Sequence, residues 1–347
     1  MSSLVKKRQA WIDFAKIFAI FLVLWGHCIQ QFNPSYKESG TFIWIYSFHM
    51  PLFMILAGIF ISEDKLRNGL DFISKRFKQL ILPCFLWIII AFLVSKMIGH
   101  HTNSFIQCMW YNLWFLKSLF ACNLILTLSY ILTRRFNVCI IISLITSQLT
   151  LAEPNLWHLQ LQTMLPSVVV GMYLSKLFRQ NDKSKTILLS VLTIICAVIF
   201  ILSTRNWSIE DINPPLDRLL GPDKFNIYLR IVQRLLVGIT GSIMIIGIIY
   251  LAFSIFEARH ACMKEVSKYG MISMEVYILQ TIILETILSH FIAIELNFVW
   301  TDVLIFPIVA IIVLALTIAV YKGFESLGLS FLFNFNKLKS IKLKRYA

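Results

Sequence analysis

The first long apolar segment, WIDFAKIFAIFLVLWGHC, contains three side chains that could do chemistry: Asp13, Lys16 and His27. At 100° per residue of an α-helix, Lys16 and His27 lie within about 20° of each other and Asp13 within about 40° of His27. The three therefore share one helix face, along which Lys16 and His27 are about 16 Å apart. This spacing suits a tunnel with a cation near one end and an imidazole deeper inside. The alternative is an i, i+3 ion pair of Asp13 with Lys16, with His27 bonded to a neighbouring helix.

The second apolar segment places His49 two residues before Pro51. Proline has no N–H for the carbonyl of Ser47, so we expect a kink there and a free acceptor beside His49. A histidine can take up a proton during a reaction, as a general base for a hydroxyl nucleophile must. His49 could equally serve only as a hydrogen-bonding group in the packing of the helices.

Two further groups of polar residues follow. Lys75, Arg76 and Lys78 stand at the mouth of the third apolar segment, where they could bind phosphates or simply face anionic lipid headgroups. Near the C-terminus, a polar stripe with i, i+4, i+7, i+11 spacing is predicted to face other helices and to hydrogen-bond with them, while Glu275 and Glu285 are predicted on other faces. The members of the stripe are Ser273, Tyr277, Gln280 and Leu284.

The composition places these residues in a membrane. The 347 residues are 58% hydrophobic and 14% charged, with a mean hydropathy of +0.75. These values exclude a soluble enzyme, a secreted disulfide scaffold and a disordered chain. The seven cysteines are scattered through apolar runs, so we interpret them as core residues, and no metal site is predicted.

The apolar runs predict an all-α integral membrane protein, because a helix needs about 20 apolar residues to cross a bilayer. Ten transmembrane helices are predicted, at about 12–31, 41–61, 80–98, 112–132, 138–152, 162–178, 186–202, 231–256, 270–292 and 303–321. A single membrane domain over residues 1–347 is expected, with a basic tail at about 334–347. The longest outer loop, about 203–230, mixes aromatic and charged residues that would suit either a glycan or a plain connector.

The net charge of +14 is interpreted as a topology signal rather than as a nucleic-acid site. Most Lys and Arg residues fall in alternate loops, and positive residues near helix ends are retained in the cytoplasm. Both termini are therefore predicted to be cytoplasmic.

Five sequence blocks occur together, in an order and at intervals that resemble the membrane acyltransferase-3 family. They are ID-x-x-K with a GH dipeptide ten residues on (Ile12 to His27), FHMPLF-x-x-x-AG (Phe48 to Gly58), KRFKQLILP (Lys75 to Pro83), LWFL (Leu113 to Leu116) and G-x-x-SMEVYIL (Gly270 to Leu279). The FHMPLF block resembles most closely the branch associated with fucose and polysaccharide O-acetylation. The resemblance implies transfer of an acyl group, usually acetyl, from cytoplasmic acyl-CoA across the bacterial inner membrane. The implied acceptor is a hydroxyl of a surface polysaccharide or lipid-linked oligosaccharide.

The resemblance also implies roles for individual residues. The family's basic-x10-His motif corresponds to Lys16 and His27, with Lys in place of the more common Arg, so a planar bidentate clamp on phosphate is not expected. The family's Arg-x-x-Arg pair corresponds to Arg76 and Gln79, so one cation of that pair is absent, and Lys75 or Lys78 could replace it. Where many members end the late block with histidine, this chain has Gln280.

The resulting hypothesis assigns donor binding, catalysis and support to three sets of residues. His27 acts as base towards the sugar hydroxyl, or carries the acyl group itself, and His49 serves the acceptor side. Acetyl-CoA is bound through its phosphates by Lys16, Arg76, Lys75 and Lys78. Asp13, Ser47, Tyr277 and Gln280 support these groups. Membrane lipids are further partners, and an oligomer is compatible with the sequence.

The rival hypothesis is a transporter or flippase. In such a protein the intramembrane Asp13, Lys16, His27 and His49 would form a proton or substrate pathway without chemistry. Release of free CoA thiol would distinguish the two classes.

Overall fold

The computed structural model describes residues 9–99, 104–179, 183–205, 207, 224–255, 265–292 and 300–338, and these residues are almost entirely helical. The α-helices are α1 (Ala10–Phe32), α2 (Gly40–Gly58), α3 (Glu63–Arg67), α4 (Gly69–Arg76), α5 (Leu82–Met97), α6 (Phe105–Tyr111), α7 (Trp114–Thr133), α8 (Phe136–Leu149), α9 (Leu161–Arg179), α10 (Lys183–Thr204), α11 (Lys224–Ile255), α12 (Ser273–Ile282), α13 (Ser289–Phe291) and α14 (Phe306–Ser326). The prediction of an all-helical protein is confirmed for this part of the chain. Most of the loop at about 203–230, and the tail beyond residue 338, lie outside the described residues.

Within the described residues, eight helical stretches are long and apolar enough to cross a membrane, so the chain is a multi-pass membrane protein. They are Ala10–Phe32, Gly40–Gly58, Gly69–Met97, Trp114–Thr133, Thr186–Thr204, Tyr228–Ser254, Glu265–Phe291 and Thr301–Ser326. The other two predicted runs are helices too, but α8 has only 14 residues, about 21 Å, and so falls short of the hydrocarbon thickness of about 30 Å. Helix α9 has 19 residues and buries polar side chains such as Gln162 and Ser167. The cytoplasmic position of both termini stays a prediction.

In the part of the chain that the structure describes, three π-helical turns interrupt or extend the helices. They are Phe77–Ile81 between α4 and α5, Ile283–Leu288 after α12, and Thr301–Ile305 before α14. A π turn closes its hydrogen bonds five residues apart instead of four, which changes the face that every later side chain occupies. Polar residues that would diverge in a regular α-helix can therefore converge.

Helix α2 lies at the centre of the bundle and packs against α1, α9 and α11. Its closest approach is to α9, where Gly58 faces Val168 and Gly171 faces Ile55. A Cβ on either glycine would overlap a backbone carbonyl of the opposite helix. The two backbones are therefore in direct contact, as at small-residue helix interfaces in membranes.

The connection from α1 to α2 is fastened to the start of the last long helix by one carboxylate. Asp302, which is 5% exposed, accepts hydrogen bonds from Asn33 Nδ2 (3.0 Å) and from Ser39 Oγ (2.5 Å). Its backbone carbonyl accepts a bond from Trp25 Nε1 at 2.7 Å. This cluster fixes the end of α1 relative to the start of α2.

Replacing Asp302 by Ala is expected to destabilise the protein. Asn33 and Ser39 would lose their buried acceptor, which costs about 1–3 kcal/mol. The measurement is thermal unfolding of the purified protein in detergent. Glu38, an exposed carboxylate on the same connection, provides the matched control, and Glu38→Ala is expected to change stability by less than about 0.5 kcal/mol. Equal melting temperatures for Asp302→Ala and Glu38→Ala would show that the hydrogen bonds to Asp302 do not stabilise the protein.

Candidate functional site

Three adjoining cavities run through the described part of the bundle. The first, the histidine chamber, has a volume of about 280 Å³, the second, the middle channel, about 380 Å³, and the third, the basic pocket, about 1000 Å³. Met50 and Tyr277 line both the chamber and the channel, whereas Lys65, Arg76 and Gln79 line both the channel and the pocket. The three cavities thus form one series. The chamber is lined by His27, Gln30, Tyr46, Ser47, His49, Met50, Pro51, Trp114, Gln160, Thr163, Met164, Arg234 and Tyr277.

His27 lies on α1, and its ring is partly exposed to the chamber. Its Nδ1 atom is buried and lies 3.4 Å from Glu285 Oε1, slightly beyond good hydrogen-bond distance. The same carboxylate oxygen accepts a hydrogen bond from Gln280 Nε2 at 2.9 Å. With Nδ1 turned towards the carboxylate, Nε2 is the nitrogen left for a reacting group.

The sequence-based prediction that Glu285 lies on a different face from Gln280 is wrong. Residues five apart diverge by about 140° in a regular α-helix. The π turn Ile283–Leu288 removes this divergence and brings Glu285 to Gln280. The predicted inward direction of the stripe is confirmed, because Tyr277 and Gln280 are buried and Tyr277 lines the chamber.

His49 on α2 is 3% exposed, and its Nδ1 lies 2.9 Å from the carbonyl oxygen of Ile45. A carbonyl can only accept, so Nδ1 carries the proton and Nε2 of the neutral ring is an acceptor. Pro51 lies within α2 as predicted, and the Ser47 carbonyl that it leaves without a helical donor lies beside Gly238 of α11. The Ser47 hydroxyl itself donates to the carbonyl of Trp44 at 2.7 Å.

Tyr46 separates the two histidines. Its ring centroid lies 6.3 Å from that of His27 and 4.7 Å from that of His49, and its hydroxyl donates to Gln30 Oε1 at 2.8 Å. Gly26 makes room for this ring, since a Cβ there would come within 2.7 Å of it. Both histidines therefore line one small chamber, and the Tyr46 ring lies next to each of them.

Arg234 and Gln160 are chamber residues that the sequence analysis missed. Arg234 is only 8% exposed, and its Nη2 donates to Gln160 Oε1 at 2.6 Å. Gln160 directly precedes α9 in the left-handed conformation, with φ of 51°, which non-glycine residues rarely adopt. The charge of Arg234 within the apolar run 231–256 is the feature of the sequence that could have indicated a functional residue there. No sequence pattern indicates the conformation of Gln160.

The structure shows the Asp13–Lys16 ion pair of one sequence-based alternative, whereas the functional role of Lys16 stays a prediction. Lys16 Nζ lies 3.2 Å from Asp13 Oδ1, so the i, i+3 pair forms. Lys16 also lines the middle channel and lies 4.7 Å from the ring centroid of Phe60. Asp13 is buried, so the ion pair restricts the position of the Lys16 side chain.

The middle channel is mostly apolar between its two polar ends. The LWFL block contributes to both cavities, with Trp114 in the chamber and Phe115 and Leu116 in the channel. The Phe115 ring contacts that of Tyr277, with centroids 5.6 Å apart at the boundary of chamber and channel. This boundary would fit a narrow, uncharged part of a ligand.

The basic pocket gathers the three predicted cations and one more. Lys75 and Arg76 at the end of α4 and Lys78 in the following π turn line it, as does Lys65 on α3. Arg76 Nη1 donates to Gln79 Oε1 at 2.9 Å, so Gln79 holds the guanidinium in place. Four cations at one pocket are suited to phosphate groups.

Comparisons with known proteins give a family and two distant relatives. Residues 9–322 match the family described as "Acyltransferase domain". The chain is 39% identical over 85 residues to Nodulation protein NolL of Mesorhizobium japonicum and 35% identical over 85 residues to Nodulation protein NolL of Sinorhizobium fredii. Each match covers 23% of this chain and 23% of the relative, so the chain spans less than a quarter of the length of these curated relatives. No solved structure matches.

Proposed function

This chain belongs to the acyltransferase 3 family, and we propose that it transfers an acetyl group from acetyl-CoA to a hydroxyl of a surface polysaccharide or lipid-linked oligosaccharide. The observation that supports this most directly is the series of cavities from four cations, through an apolar channel, to His27. We further propose that the membrane is a bacterial inner membrane and that the basic pocket opens to the cytoplasm. The positive-inside distribution of Lys and Arg supports that orientation.

The donor fits the series of cavities part by part. Its phosphates would bind the basic pocket, where Lys65, Lys75, Arg76 and Lys78 supply charge-assisted hydrogen bonds. The uncharged pantetheine arm would occupy the middle channel beside Lys16 and Tyr277. The thioester would then lie at the boundary with the chamber. Lys16 and His27 are about 16 Å apart along α1, so a long arm is needed to connect the two sites.

The proposed chemistry is acyl transfer assisted by a general base. The acceptor hydroxyl gives its proton to Nε2 of His27 while its oxygen attacks the thioester carbonyl carbon. The carbon–sulfur bond then breaks, and the CoA thiolate leaves and takes the proton from Nε2 of His27, which restores the neutral base. Glu285, close to Nδ1, orients the ring and stabilises the imidazolium as it forms. Glu285 is therefore a positioning residue that acts through His27.

Two other chamber residues are placed to stabilise charge. The thioester oxygen becomes negative during attack, and a buried cation in a cavity of low dielectric stabilises such an oxyanion strongly. Arg234 is a cation in this chamber, and Gln160 holds it. His49 offers Nε2 as an acceptor for a second sugar hydroxyl. We assign Arg234 to the oxyanion and His49 to the acceptor.

Replacing His27 by Ala is expected to lower the rate of acetyl transfer by about 10²–10⁴-fold, the usual contribution of a general base. The measurement is release of CoA thiol from acetyl-CoA by protein purified in detergent, with the glycan acceptor present. His290→Ala provides the control, because His290 is exposed on α13 and lines none of the three cavities. Wild-type turnover by a stably folded His27→Ala protein would refute the mechanism. If the wild-type protein releases no CoA thiol with the acceptor present, the transporter hypothesis replaces the acyltransferase hypothesis.

Glu285→Gln is expected to slow the reaction, because it removes the charge that stabilises the imidazolium but keeps a similar shape. If Glu285 acts only through His27, its effect disappears when His27 is absent. The double variant His27→Ala with Glu285→Gln should therefore turn over at the same rate as His27→Ala. Glu265→Gln, which alters an exposed carboxylate, should leave the rate unchanged. Multiplicative effects of the two substitutions would argue against positioning by Glu285.

Arg76→Ala is expected to raise KM for acetyl-CoA several-fold with a smaller change in kcat, because the residue binds the donor far from the reacting carbon. Steady-state kinetics at varied acetyl-CoA concentration test this. Arg135→Ala serves as control, since Arg135 is exposed and does not line the basic pocket. If Arg76→Ala had the wild-type KM for acetyl-CoA, the phosphates of the donor would not bind at Arg76.

A further inference from the structure

The chain after α14 turns back over the basic pocket. Residues 330–338, here called the strap, form two short 3₁₀ turns, Ser330–Phe333 and Phe335–Lys337. Phe333 is fully buried and stacks on Trp87 of α5, with ring centroids 4.6 Å apart, and Trp87 Nε1 donates to the carbonyl of Leu332 at 3.2 Å. The strap is therefore anchored to the body of the protein at its first turn.

Its second turn is anchored by a lysine. Lys337 Nζ lies 3.1 Å from the hydroxyl of Tyr321 and 3.4 Å from Oε1 of the buried Glu275. Burial lowers the pKa of Lys337, but the bonds to Tyr321 and Glu275 outweigh it and raise the pKa overall. Lys337 therefore stays charged at neutral pH and forms an ionic latch.

Between and just after the two anchors, the strap forms one wall of the basic pocket. Phe335, Asn336 and Leu338 line the pocket, and Asn336 Nδ2 donates to the backbone carbonyl of Lys75 at 2.9 Å. The four cations of the pocket come from other segments, α3, α4 and the π turn after α4. The pocket thus combines an aromatic ring and an amide on one segment with clustered cations on others.

This combination is the chemistry of nucleotide recognition. An aromatic ring can stack on a base, whereas cations bind phosphates through charge and hydrogen bonds. A lipid headgroup or a free phosphate would use the cations but would have no use for the ring. A cavity of about 1000 Å³ has room for a base, a ribose and several phosphates together.

We propose that the strap completes a nucleotide site in which Phe335 stacks on the base of the donor, and that Lys337 latches the strap in place. This inference rests on the proposed function, because it concerns the nucleotide portion of the acyl-CoA donor. Phe335 is then a residue that determines donor specificity, and it has no part in the chemistry at His27.

The test compares two donors, acetyl-CoA and acetyl-pantetheine, which lacks the nucleotide. Phe335→Ala should raise KM for acetyl-CoA about tenfold, within the range for the loss of one base–aromatic contact. The kcat for acetyl-CoA and the kcat/KM for acetyl-pantetheine should not change. Phe291→Ala, at an exposed phenylalanine outside the pocket, is the matched control. An equal loss with both donors would show a merely structural role and overturn the proposal.

The latch is tested in the same way. Lys337→Ala should produce the donor-specific rise in KM, and Lys337→Arg, which keeps the charge, should restore most of the wild-type value. Loss with both donors, or a Lys337→Ala protein with wild-type KM for acetyl-CoA, would refute the latch.

A binding measurement separates this proposal from the proposed function. Isothermal titration of the purified protein with adenosine 3′,5′-bisphosphate needs no acyl transfer, and Phe335→Ala should weaken binding about tenfold. Inorganic phosphate should bind the wild-type protein and the variant equally, as should vesicles of anionic lipid. If the wild-type protein bound the bisphosphate no better than inorganic phosphate, the strap would make no contact with the base, and the proposal would be overturned. If it bound the bisphosphate but transferred no acetyl group, the proposed function would fail while the nucleotide site stood.

Discussion

The contact of Glu285 with His27 and Gln280 is the constraint on which the arrangement of the site depends. A carboxylate inside an apolar bundle is costly unless charge or hydrogen bonds compensate it. In the described residues Glu285 has the amide of Gln280 at 2.9 Å and the imidazole of His27 at 3.4 Å. The hydrogen bond from Gln280 holds the carboxylate beside the ring of His27. One nitrogen of His27 then faces the carboxylate, and the other is left for the chamber.

The constraint also explains why the late helix is not a regular α-helix. With α-helical spacing, Glu285 would point away from Gln280 and would need another partner. The π turn Ile283–Leu288 brings it to the interior. The π turn Thr301–Ile305 likewise contains a buried carboxylate, Asp302, that fastens a connection of the chain. Two of the three π turns in the described residues therefore contain a carboxylate that is turned towards polar partners.

Much of the fold and part of the site could be predicted from the sequence, because both follow from periodicity. The helices and the shared face of Lys16 and His27 depend only on 100° per residue and on apolar runs. The cluster of Lys75, Arg76 and Lys78 at one pocket follows from their closeness along the chain. These features are local, and tertiary packing does not change them.

The rest depends on tertiary contacts that no local pattern contains. The position of Glu285 requires a π turn, and that of Gln160 requires a left-handed residue. Phe335 lies 259 positions after Arg76 in the chain, and tertiary contacts such as Phe333 on Trp87 and Lys337 on Glu275 bring it to the wall of the basic pocket.

The size of the histidine chamber limits how the two substrates of the proposed reaction can meet. At about 280 Å³ it lies just below the usual range for ligand sites of about 300–1000 Å³, so it can hold the reacting ends of the substrates but not a whole oligosaccharide. The donor would enter past Lys16 and Tyr277 through the middle channel. The acceptor hydroxyl must then arrive from the other side, where Gln30 and Gln160 line the chamber with polar groups. Entry from opposite ends would let a protein with one base join a donor and an acceptor that are kept on different sides of the membrane.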